Sequence, residues 1–142
     1  MILLDTNILS ELMRSAPAPE VETWMGAQPS SSLFISAVSE AELRFGLALL
    51  PEGKRRDQLA EAVEGMLAED FAGRILPFDS AAASAYARIA ADRRKAGRPI
   101  AQFDAQIASI ANSRNAALAT RNVGDFEGCG VQLVNPWGSV PE

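Results

Sequence analysis

Asp5, Glu42, Asp104 and Asp125 are four carboxylates from widely separated stretches of the chain, and together they could do chemistry that none could do alone. Like charges a few ångströms apart repel, so at least one of such a group is forced toward its protonated form at neutral pH. A divalent cation reverses the sign of that interaction. All-oxygen donors select hard ions, Mg²⁺ or Mn²⁺, over zinc or copper. Such an ion holds a phosphate, helps generate hydroxide and stabilises a leaving oxygen with no histidine required. The reaction this pattern points to is phosphodiester hydrolysis.

What the chain lacks narrows the choice. It contains no histidine, which removes Ser-His-Asp hydrolases, Cys-His proteases, His-ligated zinc and phosphohistidine chemistry. Its one cysteine, Cys129, forms no internal disulfide. Set between Gly128 and Gly130 with no histidine to lower its pKa, it reads as a passive small residue.

The elements expected to position the acids are short apolar runs alternating with helical patterns. Ile2-Leu3-Leu4 reads as a buried strand ending at Asp5, with a helix from Asn7 to about Arg14 and a shorter one from Glu20 to Gln28. Leu33-Phe34-Ile35 reads as the second strand. From Ser39 the spacing of Leu43, Leu47 and Leu50 predicts a helix with one apolar stripe. Lys54 to Glu69 repeats the pattern through Leu59, Val63, Met66 and Leu67. Arg74 to Leu76 is a third strand, stopped by Pro77. Helices follow over Ala81–Ala96, with Gly97 as C-terminal cap, and over Phe103–Arg114. Strands at Ala116–Thr120 and Val131–Val134 complete the set. This alternation predicts one three-layer α/β/α sandwich over residues 1–142, with a central parallel sheet of about five strands.

In such sheets ligands bind beyond the carboxyl ends of the strands. Asp5 directly follows the first strand, and Asp125 lies in the loop after the strand ending at Thr120. Glu42 is expected in the first turn of the helix after the second strand, and Asp104 opens the helix after Pro99. Helix starts after parallel strands face the same edge, so the four acids share one rim. Each also has a plainer reading. Asp5 could serve only as a helix N-terminal charge, and Ser39-Glu40-Ala41-Glu42 fits a capping box. Asp104 could be a helix-start acid and Asp125 a turn former beside Gly124.

The net charge of −5 runs against the basic footprint usual for nucleic-acid binding. Two basic runs, Lys54-Arg55-Arg56 and Arg88 to Arg98, read equally as solvated helix faces. No apolar stretch approaches the ~20 residues of a membrane span. The start MILLDTNILSELM is too short and too acidic for a signal peptide. The expectation is a cytoplasmic protein with no membrane partner.

Four blocks bring these residues together: LDTNILSEL at 4–12, SAVSEAELRFG at 36–46, IAQFDAQIASIA at 100–111 and ATRNVGDF at 119–126. They resemble, in order, the motif blocks of PIN-domain proteins, in particular the VapC toxins of bacterial toxin–antitoxin pairs. AGRILPFD at 72–79 and NPW at 135–137 resemble the FitB-like branch. The resemblance implies the α/β/α fold and an Mg²⁺- or Mn²⁺-dependent endoribonuclease that attacks an RNA phosphodiester with metal-activated water. It implies Asp5, Glu42, Asp104 and Asp125 as catalytic and metal-binding residues, with Asp5 and Asp104 the principal ligands. Relatives place the last acid either where this chain has Asn122 or in the DF pair. Asp125 is the expectation, with Asn122 as a water-mediated contact. Thr6 and Thr120 match hydroxyl positions that orient carboxylates or phosphate. Arg44, Arg93, Arg94 or Arg98 would contact the RNA. The resemblance also implies a homodimer and a VapB-like antitoxin, with DNA bound only indirectly through that antitoxin.

Three rival readings fit the residues less well. An aspartate-nucleophile phosphotransferase wants a second Asp where this chain has Asn7. The one candidate P-loop, Gly46 to Gly53-Lys54, has six residues between its glycines where four are needed, and Arg55 where Ser or Thr belongs. A catalytically weak PIN-fold binding module, acting with an antitoxin in transcriptional regulation, has no reason to keep a repulsive acidic cluster.

Overall fold

The computed structural model describes residues 1–138. Its strands are β1 (Ile2–Leu4), β2 (Leu33–Ser36), β3 (Ile75–Leu76), β4 (Ala117–Ala119) and β5 (Leu133–Val134). All pair in parallel, in the order β3-β2-β1-β4-β5. Alternation along each strand feeds both faces. Leu3, Phe34 and Leu118 point to one core cluster, while Leu4, Leu33, Ile35 and Ala119 point to the other. Burial on both faces is why these strands read as unbroken apolar runs.

Helices α1 (Thr6–Leu12), α2 (Pro19–Ala27), α3 (Ala37–Leu49) and α4 (Lys54–Gly65) cover one face through Ile8, Leu9, Val21, Leu43 and Val63. Helices α5 (Ser80–Lys95) and α6 (Gln102–Ser113) form an antiparallel pair on the other, through Ala82, Ala85, Ile89, Ile107 and Ile110. This is the three-layer sandwich expected. Among the described residues no helix is long and apolar enough to cross a membrane.

Two local expectations change. The helix expected to run evenly to Glu69 widens after Gly65 into a looser turn over Met66–Asp70, where Phe71 N–H donates to the Met66 carbonyl. The wider turn brings both Met66 and Leu67 into the core. The helix expected from Ser39 begins two residues earlier, at Ala37, because Ser36 at the end of β2 is the cap. Its hydroxyl accepts from Ser39 N–H at 3.0 Å. Ser39 and Glu42 are therefore not a capping box, and Glu42 sits in the second turn of α3, free for other work.

Candidate active site

The strand order turns at β1: β2 lies on one side and β4 on the other. Such a reversal opens a crevice at the carboxyl ends of the strands. Asp5 and Thr120 are the first residues past β1 and β4, and Asp5 N–H donates to the Ala119 carbonyl at 2.9 Å. The cleft there has a volume of about 550 Å³, and its lining includes Asp5, Thr6, Glu42, Asp104 and Asn122. A larger depression of about 860 Å³ lies elsewhere, around Met13, Met25, Met66 and Phe71. It contains none of the predicted site residues, so the chemistry belongs to the smaller cleft.

Asp5 is only 6% exposed. One carboxylate oxygen accepts from Thr6 N–H at 2.7 Å, which caps α1, and the other accepts from the Thr120 hydroxyl at 2.7 Å. The two readings of Asp5 are thus both true: it caps a helix and it lines the cleft. Burial pushes its pKa up, opposed by those two bonds and reinforced by the charges of Glu42 and Asp125. The Thr6 hydroxyl donates to Glu42 Oε1 at 2.6 Å and lies 2.8 Å from the Ser39 hydroxyl. Thr6 therefore joins α1 to α3 and orients Glu42 beside Asp5. Asp104, in the first turn of α6, is pushed up to about 6, first by desolvation and then by the charges of Asp5, Asp125 and Glu42.

Asp125 and Asn122 part company. Asn122 lines the cleft, and its N–H donates to the Thr120 hydroxyl at 3.1 Å. Asp125 lies in the short helical turn Val123–Phe126, is exposed, and is not among the lining residues. Its charge nonetheless reaches both Asp5 and Asp104.

Of the four arginines expected at the substrate, Arg94 is exposed on α5 and does not line the cleft, and the other three are otherwise engaged. Arg44 pairs with Glu40 and Glu64. Arg98 pairs with Glu127. Arg93 is only 7% exposed and grips the loop that carries Asp125. It donates to the carbonyls of Asp125 at 2.9 Å and Glu127 at 3.0 Å, and through Nε to Arg98 at 2.7 Å. Gly97, at φ +74°, allows the α5 turn that brings the Arg98 carbonyl back onto Arg93. Burial pushes the Cys129 thiol up, in keeping with a passive residue.

Sequence reasoning passed over Ser39, taken as a cap; Asn7, whose amide reaches Thr120 at 3.4 Å; and Arg14 and Arg121, which line the cleft. All but Arg14 lie inside the motif blocks, which were the available signal.

The donor set fits a hydrated hard cation. Its carboxylates and hydroxyls offer oxygen ligands toward the cleft, and beyond burial the neighbouring charges of Asp5, Asp125 and Glu42 raise Asp104, a repulsion that a cation would relieve. Among the described residues no three acidic side chains are spaced to enclose an ion unaided. Mg²⁺ ordinarily keeps several waters and takes one or two carboxylates, so a closed cage is not required.

Comparison with known proteins agrees with this fold. Residues 2–127 match the PIN domain family. The plasmid stability protein StbB of Pseudomonas syringae pv. tomato is 45% identical over 137 residues, covering 96% of this chain and 99% of that protein. The VapC ribonuclease Y4jK of Sinorhizobium fredii is 42% identical, covering 96% and 98%. Toxin FitB of Neisseria gonorrhoeae is also 42% identical, covering 96% and 99%. A chain in the crystal structure of FitAcB from that organism superposes with a TM-score of 0.91 at 42% identity, covering 96% of this chain and 99% of that one. A chain of FitAB bound to an IR36 DNA fragment gives 0.93 at 40% identity, covering 99% of each. The chain belongs to the PIN domain family, within its group of VapC and FitB toxins.

Proposed function

We propose that this protein is the endoribonuclease toxin of a type II toxin–antitoxin pair, cleaving RNA phosphodiesters with Mg²⁺ or Mn²⁺ at the Asp5–Glu42–Asp104 cleft. The observation that carries the reading is the lining of one cleft by these three acids, from β1, α3 and α6, with Asp5 and Glu42 held in place by threonine hydroxyls. Its support from relatives is the ribonuclease name of Y4jK and the toxin name of FitB.

In this reading Asp5 and Asp104 would hold the cation, and Glu42 would orient the attacking water. Asn122 contacts the site from the β4 side, and Asp125 adds negative charge from just outside. When bound, the divalent cation neutralises phosphate charge and lowers the pKa of a water molecule. Thr120 and Thr6 fix the carboxylates before substrate arrives, so the reacting groups need little reorganisation. The acids repel RNA when no cation is bound, which ties substrate binding to metal loading.

The partners follow the same reading. Structures of relatives are complexes named FitAB, and a VapB-like antitoxin is the counterpart proposed for this chain, with promoter DNA bound through that antitoxin. Phe45, Leu49 and Phe103 are large and exposed, and they offer apolar area for a second copy in a homodimer.

The test is Asp5→Asn. The side chain still caps α1, and the Thr120 hydroxyl can turn to accept from the new amide. We expect cleavage of total RNA in Mg²⁺ to be abolished while the circular dichroism spectrum is retained. Wild-type cleavage by the variant, still sensitive to EDTA, would overturn the assignment. Phosphate release from small esters without RNA cleavage would favour the phosphotransferase. Antitoxin binding with no RNA cleavage by wild type would favour the binding module.

A further inference from the structure

Arg121 lines the same cleft as Asp5, Glu42 and Asp104, and it sits where the ATRNVGDF block meets the NPW segment, which the acidic site leaves unexplained. It follows Thr120 at the end of β4, and its N–H donates to Asn7 Oδ1 at 3.4 Å. Its guanidinium lies 5.0 Å from the centre of the Trp137 ring. Trp137 belongs to the turn Asn135-Pro136-Trp137-Gly138. Asn135 Oδ1 accepts from Trp137 N–H at 2.9 Å, and Gly138 N–H closes the turn onto the Asn135 carbonyl at 3.1 Å. Asn first, Pro second and Gly fourth is the residue order such a turn favours. Gly138 takes φ +101°, which suits glycine. Thr120 N–H donates to the Val134 carbonyl at 2.9 Å, so β4 and β5 end together and the turn rises beside Arg121. Trp137 is half-buried against the core, which makes the platform rigid.

Stacking occupies the face of a guanidinium and leaves its edge, with the N–H donors, directed outward. Among the described residues no carboxylate lies within ion-pair distance of Arg121. Arg14, the other arginine lining the cleft, differs. It is bound to Glu11, a carboxylate only 5% exposed and held below its ordinary pKa by Ala18 N–H and Arg14, whereas Arg121 reaches Glu11 only by longer-range charge. Arg121, held over the indole and with no side-chain hydrogen bond among the described residues, thus places a guanidinium beside three acids, in a chain of net charge −5. A polyanion that must approach those acids needs one such fixed cation, and a guanidinium edge matches the paired oxygens of a phosphate.

We propose that Arg121, stacked on Trp137, anchors an RNA backbone phosphate flanking the scissile one. This rests on the ribonuclease reading above, deepens it by naming a substrate-positioning residue, and gives the NPW turn its purpose. Lys at this position would keep the charge but lose the flat stack and the paired donors. Trp137 acts on the substrate only through Arg121.

The experiment measures fluorescence anisotropy of a labelled single-stranded RNA 12-mer of mixed sequence, with Mg²⁺, on the Asp5→Asn protein. Adding Arg121→Ala is expected to weaken binding about tenfold, and to reduce the slope of log affinity against log salt by about 0.7, the share of one single-strand phosphate. Adding Arg121→Lys is expected to keep the salt slope and recover only part of the affinity. Adding Trp137→Leu should weaken binding while keeping the slope. In otherwise wild-type protein, Arg121→Ala should raise KM and leave kcat within about twofold. Unchanged affinity and slope in Arg121→Ala would overturn the proposal, as would a loss confined to kcat. A wild-type protein that binds the 12-mer through Arg121 but cleaves no RNA would overturn the ribonuclease reading and leave the anchor standing.

Discussion

The Thr120 hydroxyl donates to Asp5 Oδ2 at 2.7 Å, joining residues 115 positions apart. The bond exists because β1 and β4 are adjacent parallel strands that end at the same level. It gives a buried carboxylate its second donor and fixes the plane in which its oxygens lie. Removing one partner from a buried charged group costs more than the mean hydrogen bond, on the order of 1–3 kcal/mol. Thr120→Val keeps shape and removes the donor. We expect kcat for RNA cleavage to fall about tenfold or more. Because the lost bond is one that lowers the Asp5 pKa, the acidic limb of the pH–rate profile should move to higher pH. Thr120→Ser should restore both. A Thr120→Val enzyme with the wild-type profile would remove this role.

Asp104 contributes to the pH response of the metal-free protein, alongside Asp5, whose carboxyl burial also raises. Its carboxyl is raised from 3.8 to about 6 in the folded state. Between those values the folded chain holds a proton that the unfolded chain has released. Stability therefore falls as pH rises from about 4 through about 6, and stays lower above it. Melting temperature measured in EDTA should show that fall. Asp104→Asn should make it shallower, the remainder belonging to Asp5, and saturating Mg²⁺ should reverse the loss at pH 7. A metal-free melting curve that shows no such difference between wild type and Asp104→Asn would contradict the assignment.

Arg93 holds the loop of Asp125 from beneath, through carbonyls rather than through a counter-charge. Arg93→Met fills the space but strands those acceptors, at about 1–3 kcal/mol each. We expect urea denaturation to report a loss on the order of 3 kcal/mol. Proteolysis should become faster at residues 124–129 while the rest of the sheet stays protected. Unchanged stability would show that the loop holds itself.

Asn122 and Asp125 are separable. Asn122 lines the cleft, whereas Asp125 acts on it by charge from outside. Asn122→Ala should therefore reduce cleavage more than Asp125→Asn does. Asn122→Asp adds an acid inside the cleft and should lower the Mg²⁺ concentration for half-maximal activity, even when combined with Asp125→Asn. Titration of activity against Mg²⁺ checks both, and the reverse ranking would return the fourth position to Asp125.

Much of the fold was legible because its signals are local. Ile2-Leu3-Leu4 and Leu33-Phe34-Ile35 are apolar at every position because sheet faces on both sides are covered, so they read as strands without tertiary information. The alanine-rich run ending at Gly97 reads as a helix with its stop for equally local reasons. The start of α3 was misplaced because Ser36 and Ser39 are both acceptable caps in sequence. Only the end of β2 decides between them. The widened turn after Gly65 had no distinct signal, since Met66 and Leu67 suit a regular helix equally well.

The site divides along the same line. The amino-acid sequence alone determined which side chains were available: carboxylates without histidine, at strand ends and helix starts, in blocks shared with PIN-domain proteins. Residue type fixes donor chemistry, and periodicity fixes the edge to which a strand end points. Tertiary structure decided the rest, because it depends on contacts between segments far apart in the chain. It put Thr6 between Asp5 and Glu42, and Asn122 rather than Asp125 against the cleft. It also buried Arg93, which composition had offered to RNA, and stacked Arg121 on Trp137 at the rim instead. A guanidinium looks the same in sequence whether it supports a loop from within or faces solvent over an indole. Packing alone distinguishes the two.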